Sequence, residues 1–319
     1  MTKAKKPTAL CEERQSKRLK FNERKAFGNL KEENMKFLGT GAGEGIPNPF
    51  CDCRICENAR KCKGREIRTR SSFRLNERVL IDMGPDYFSQ SVNLDESFVN
   101  LKHLLYTHTH DDHYNYTSVW ERFAKRSEDN GPLNIYFTED AFNVIEDFYM
   151  ISPLTEGREH YISEKNVIFH KLLFEKEYKI DNYLITPLKS EHSTSLEKNT
   201  ANYLVCGENL CLYYAVDSGM FLDETIEYLK NYRLNVLICE CTFPCIDKNF
   251  FPKGHGHLDL NLCLENLKNL YNYNIITDET KVYLTHISPI GATHEELCNY
   301  AEKLNLPFDL IVAYDSMSI

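Results

Sequence analysis

Residues 104–115 read LLYTHTHDDHYN, with three histidines and two aspartates packed into positions 108–113. The apolar run at 101–107 predicts a short buried strand. It delivers the histidines to a loop at its C-terminal end, where open sheets place their chemistry. On extended backbone, positions i and i+2 point the same way. His108 and His110 therefore face one ion together. Asp112 and His113 lie past a bend and reach a second ion beside it. Imidazole combined with carboxylate suits Zn, Mn or Fe, not Ca or Mg alone.

One motif does not complete two sites, because each ion needs further ligands and a group to bridge them. Three later positions supply these. His192 follows LITPLKSE, Asp217 ends the run LCLYYAV, and His286 ends KVYLT. A lone histidine at the mouth of an apolar run is more often structural than a ligand. Four such places in one chain, one of them His-x-His-x-Asp-His, point to a metal centre.

The chain has 319 residues, of which 42% are hydrophobic, enough for a sizeable core. It contains no unbroken apolar run of membrane-spanning length. The first residues, MTKAKKPTALCEERQSKRLK, have no apolar core and do not read as a signal peptide. The cytosol is the expected compartment, where the 12 cysteines should be reduced and clustered ones read as metal ligands. Net charge is −9, unevenly spread: residues 1–36 carry 11 Lys/Arg against 5 Asp/Glu, leaving 27 against 42 in the remainder. That acidic body argues against a long nucleic-acid partner.

Apolar runs with β-branched and aromatic residues recur: MKFLGTG, SSFRLNERVLIDMG, NIYFT, NVIFHKLLF, YLITPL, NYLVCGENLCLYYAV, NVLICECTF, KVYLTHI and FDLIVAY. These predict strands. Helical patterns fall at 117–128, 139–149, 222–232, 259–272 and 294–304. The hairpins expected at 71–83 and 202–216 imply antiparallel pairing, so the α/β sheet is not purely parallel. Residues 35–319 are expected to form one domain, preceded over 1–34 by a basic helical extension.

In their order along the chain, His108, His110, Asp112, His113, His192, Asp217 and His286 resemble the metallo-β-lactamase superfamily. Asp82, in VLIDMG, matches that family's first motif. The resemblance covers residues 35–318 and implies a four-layer αββα sandwich with two divalent transition metals, Zn or Mn, at one edge. It implies that His108, His110 and His192 hold one metal, that Asp112, His113 and His286 hold the other, and that Asp217 bridges them. Asp82 would orient a ligand histidine by hydrogen bonding.

The branch is read from LGTGAGEGIPNPFCDCRICENARKCKGREIRTRSS at 38–72. Cys51, Cys53 and Cys56 form a Cys-x-Cys-x-x-Cys cluster that suits a structural Zn. This block is similar to the PhnP-type phosphodiesterases and to the PqqB proteins of pyrroloquinoline quinone biosynthesis. The segments LTHIS and GHGHLDL favour the PhnP side. In such chains a histidine in the position of His257 lies near the substrate and can act as general acid, with His255 an open alternative here. Asp112 and His257 are thus the candidate catalytic residues, Asp112 doubling as a ligand. In PhnP-type chains the fourth ligand of the structural Zn is a histidine that corresponds to Pro289 here. Cys62 and His294 are the candidate replacements, with His255 a further one. Arg68 and Arg70 are candidates for phosphate contacts, although structural ion pairing is the stronger expectation for each.

The expected function is a dinuclear metal-dependent phosphodiesterase acting on a small anionic ester, cyclic esters included. The alternatives are a hydrolase of a lactone, thioester or other carbonyl ester, a tRNA-processing type of nuclease, and a non-enzymatic PqqB-like accessory protein. No membrane partner is expected. The oligomeric state stays open, a homodimer included.

Overall fold

The computed structural model describes residues 35–123, 131–151, 167–246 and 256–319. The extension expected over 1–34, and His255, lie outside the described residues.

Strand residues alternate between two apolar surroundings. Along Val236–Glu240, Val236 and Ile238 join one buried cluster while Leu237 and Cys239 join another. A strand that is apolar on both faces must be covered on both, and the order of elements provides the cover. The strands are β1 (Lys36–Gly39), β2 (Ser72–Asn76), β3 (Val79–Ile81), β4 (His103–Leu105), β5 (Leu133–Thr138), β6 (Val167–Leu172), β7 (Tyr178–Ile180), β8 (Tyr183–Lys189), β9 (Ala201–Cys206), β10 (Cys211–Ala215), β11 (Val236–Glu240), β12 (Lys281–Thr285) and β13 (Asp309–Val312). The helices are α1 (Arg54–Cys62), α2 (Tyr87–Asn93), α3 (Tyr116–Phe123), α4 (Glu139–Ile151), α5 (Asp223–Leu229), α6 (Leu260–Asn272) and α7 (His294–Ala301).

The strands make two mixed sheets, one ordered β1-β2-β3-β4-β5-β6 and one ordered β13-β12-β11-β10-β9-β8-β7. In the first, β1, β2 and β3 pair antiparallel and β3 to β6 run parallel. In the second, β7 to β10 pair antiparallel and β10 to β13 run parallel. The two expected hairpins are present as β2–β3 and β9–β10.

Three apolar clusters fill the spaces between four layers. The central one joins Phe37, Phe73 and Ile81 of the first sheet to Tyr203, Tyr214 and Tyr283 of the second. Its rings bridge the sheets, Phe37 to Tyr283 at 5.7 Å and Phe73 to Tyr214 at 5.8 Å between centroids. A second cluster packs α1, α5, α6 and α7 on the outer face of the second sheet, through Ala59, Leu229, Leu267 and Leu297. A third packs α4 on the first sheet through Ala141 and Ile145. The architecture is therefore the expected αββα sandwich. Among the described residues no helix is long and apolar enough to cross a membrane.

Candidate metal centre

The expected ligands leave their strands at one edge of the sandwich. The segment after β4 carries His108, His110, Asp112 and His113; His192 follows β8, Asp217 follows β10 and His286 follows β12. Asp82 directly follows β3, and Glu240 is the last residue of β11. Asp82, Asp217 and His286 have φ of +59°, +51° and +55°. Such left-handed backbone is uncommon outside glycine, with Asp and His among the residues that tolerate it best, and it tends to collect at functional positions. Here it turns each chain sharply beyond the strand, so that the side chain lies over the edge. Gly84 is needed for the same packing: a Cβ there would lie 2.0 Å from the Asp112 carbonyl oxygen.

Two groups of donors form, and Asp217 belongs to both. Ligand atoms of His108, His110, His192 and Asp217 lie within 4.8 Å of one another, as do those of Asp112, His113, Asp217 and His286. In the first group His110 Nδ1 lies 3.0 Å from His108 Nε2 and 3.2 Å from His192 Nε2. In the second, His113 Nε2 lies 2.9 Å from Asp217 Oδ2 and His286 Nε2 lies 3.2 Å from Asp217 Oδ1.

Outer hydrogen bonds fix which ring nitrogen faces inward. His113 Nδ1 donates to Asp82 at 2.8 Å, and His192 Nδ1 donates to the Gly256 carbonyl at 3.0 Å. His108 Nδ1 donates to Thr107 Oγ1 at 2.9 Å, and Thr107 in turn donates to Asp82. His286 Nδ1 donates to Thr242 Oγ1 at 3.0 Å, and Thr242 donates to Glu240. With each Nδ1 proton committed, Nε2 is the ring nitrogen that faces the cluster, and on neutral rings such as His108 and His192 it turns a lone pair inward. Converging lone pairs repel unless a cation sits among them, and separations of 3.0–3.4 Å match the edges of a metal tetrahedron, about 3.3 Å for two nitrogens. His113 Nε2, His286 Nε2 and Asp217 Oδ1 are buried with no hydrogen-bond partner among the described residues. The donor set fits two divalent cations.

Electrostatics agree with the geometry. Burial holds His108 well below its ordinary pKa, and burial also lowers His110 and His192, so these rings are neutral. Burial opposes charge on His113 too, but Asp112, Asp82 and Asp217 hold it well above the ordinary value. Those carboxylates retain a proton where an incoming cation would displace it. His257 stands at the mouth: its side chain is 28% exposed, against 3% for Asp217. Its Nδ1 lies 3.2 Å from Asp217 Oδ1 and 3.4 Å from Glu240 Oε2. Burial works against its charge, yet those two carboxylates push it up to about 11.

A family model for the beta-lactamase superfamily domain matches residues 77–287. The chain belongs to the metallo-β-lactamase superfamily. It is thus a member of a family of hydrolases that use divalent metals. A crystal structure of a diphosphatase from the PhnP family is similar at a TM-score of 0.66 and 20% identity, covering 90% of this chain and 96% of that one. Zn-bound PqqB from Methylobacterium extorquens is similar at a TM-score of 0.64 and 15% identity, covering 90% and 99%. An octanoyltransferase from Porphyromonas gingivalis is 29% identical over 277 residues, 82% of this chain but 47% of the relative. The chain therefore spans about half the length of that curated relative.

Within this metallo-β-lactamase fold the other candidates divide. Cys51, Cys53 and Cys56 come together, their sulfurs within 4.8 Å of one another. Cys62 and His294 are not brought to them. Cys62 is exposed with its Sγ 3.4 Å from Asn58 Oδ1, while His294 meets Arg68 at 2.9 Å and Cys298 at 3.5 Å. Arg68 is buried on Thr40 and the Ala313 carbonyl, and Arg70 pairs with Asp86 at 3.1 Å, so both serve the scaffold. Sequence reasoning missed Glu240, Thr107 and Thr242. The one sequence signal was a lone glutamate inside the apolar run VLICECTF, which the structure buries fully.

Proposed function

We propose that the chain is a dinuclear metal-dependent phosphodiesterase for a small anionic ester, cyclic esters included. The observation that supports this most is the pair of donor groups sharing Asp217, with the imidazole of His257 beside them. Two divalent ions, one held by His108, His110 and His192 and one by Asp112, His113 and His286 with Asp217 shared, would supply positive charge to a phosphoryl group and would lower the pKa of water.

The chain's own residues do the rest. Asp217 and Asp112 bring carboxylate charge to the face where ester and water meet. Asp82 and Glu240, working directly or through Thr107 and Thr242, hold the histidine rings in place and their lone pairs inward. His257, more exposed than Asp217, Asp112 and His286, is positioned to give a proton to the leaving oxygen. Glu240 and Asp217 keep that proton on His257 near neutral pH.

A carbonyl ester or thioester is the second reading, favoured by the resemblance to an octanoyltransferase. Protein reconstituted separately with Mn and with Zn should be assayed on bis-p-nitrophenyl phosphate, cyclic nucleotides, ribose cyclic phosphates, a lactone, a thioester and nitrocefin. Turnover of the phosphodiesters is expected. Turnover confined to the carbonyl substrates would replace this reading with the second.

A further inference from the structure

The cysteine cluster has an oxygen neighbour that points to its fourth ligand. Cys51 and Cys53 lie just before α1, and Cys56 lies in its first turn. Two backbone amides aim at sulfur: Cys53 N–H at Cys51 Sγ and Asn48 N–H at Cys56 Sγ, each at 3.4 Å. Such donors favour the thiolate form that binds a soft divalent ion. The Cys53 thiol donates to the carbonyl oxygen of Pro289, with Sγ and oxygen 3.7 Å apart.

That distance carries the inference. With Zn–S near 2.3 Å and Zn–O near 2.1 Å, a tetrahedral S···O edge is about 3.6 Å. A surface contact also links α1 to the chain just beyond this carbonyl. Arg54, the first residue of α1, donates to the Gly291 carbonyl at 3.1 Å and pairs with Glu296 at 2.7 Å. We propose that the cysteine site binds zinc through the thiolates of Cys51, Cys53 and Cys56 and the main-chain carbonyl oxygen of Pro289. A carbonyl is a weaker zinc ligand than an imidazole, so this site exchanges its ion more readily than a Cys₃His site. The ion also ties the start of α1 to the segment that follows His286, joining the two centres through three residues of backbone. None of this depends on the reaction catalysed.

Cobalt tests it, because thiolate-to-cobalt charge-transfer bands arise only where sulfur is a ligand. Co(II)-loaded protein should show those bands, and their loss in Cys53→Ser would assign them to this site. Added imidazole should leave them unshifted, since no solvent ligand is there to be replaced. Pro289→Ala keeps the carbonyl and should change neither the spectrum nor the rate of zinc release to a chelator. Pro289→His offers an imidazole; it should shift the ligand-field bands and slow release about tenfold or more. Absent sulfur bands would overturn the site itself. A shift on adding imidazole to the unmodified protein would show that the fourth ligand is solvent. A changed spectrum in Cys245→Ser or His255→Ala would show that it is a side chain, and either result sinks the carbonyl assignment.

Discussion

At His257 the leaving group decides the outcome of a mutation. A general acid matters only where the departing oxygen needs a proton. An alkyl alkoxide needs one, and p-nitrophenolate leaves unaided. His257→Ala should therefore cost about 10²–10⁴ in rate on an alkyl or ribose cyclic phosphodiester while sparing most activity on bis-p-nitrophenyl phosphate. Asp217→Asn, which suits the left-handed backbone but weakens the shared ligand, should cripple both. Equal slowing by His257→Ala would mean that His257 binds phosphate or shapes the pocket. Asp82 acts at one remove, through His113 and Thr107. Asp82→Asn should weaken metal binding about 10–100-fold with the ligands intact, as read by competition with a chelator. Unchanged affinity would show that the ring of His113 is held by packing alone. The seven donor positions that the structure brings together were legible because His and Asp at strand ends stand out against apolar runs. Glu240 was not, because a single acid within a strand pattern reads as an exposed position until the second sheet covers it.

At the scale of elements, the loops that carry the ligands are held by groups with their own pH response. Glu197, between β8 and β9, is fully buried and accepts the Thr109 amide at 2.6 Å, midway between His108 and His110. Burial pushes its carboxyl from the ordinary 4.5 up to about 7. A proton thus favours the folded state. The stabilisation is fully present below pH 4.5 and is lost as pH rises through about 7, with an upper bound of about 3 kcal/mol. In metal-free protein, Glu197→Gln should flatten the fall in stability across that interval, measured by denaturant unfolding; an unchanged profile would place the pH response elsewhere. The start of α1 responds to metal instead. Cys53→Ser should lower the melting temperature by roughly 4–8 °C, the equivalent of about 2 kcal/mol, with little change in turnover per folded molecule. A melting temperature that did not move would remove the structural role. The hairpins and the longer helices were readable from periodicity and turn residues. Helices α1 and α2 were not expected. In the first, cysteine spacing masked the helical spacing of Ile55, Cys56 and Ala59, and the second spans only seven residues.

For the whole molecule, apolar runs rich in β-branched and aromatic residues predicted the strands but not which strands would be neighbours. The order of the two sheets depends on long-range pairing, which a single sequence does not display. That order has a consequence for the ions. The segment after β4 belongs to one sheet, whereas His192, Asp217 and His286 belong to the other. Any cation gripped by both sets buckles the two halves of the sandwich together at their rim. Unfolding must open that buckle, so occupancy feeds into stability as RT ln(1 + [L]/Kd), about 2.7 kcal/mol at a hundredfold excess over Kd. The melting temperature should climb with the logarithm of free zinc or manganese and drop on chelation. A flat response would mean that the ions do not connect the halves. Where the response is present, a thermal scan becomes a gauge of ion supply. It would rank competing metals and expose starved or wrongly loaded protein before any natural substrate had been found.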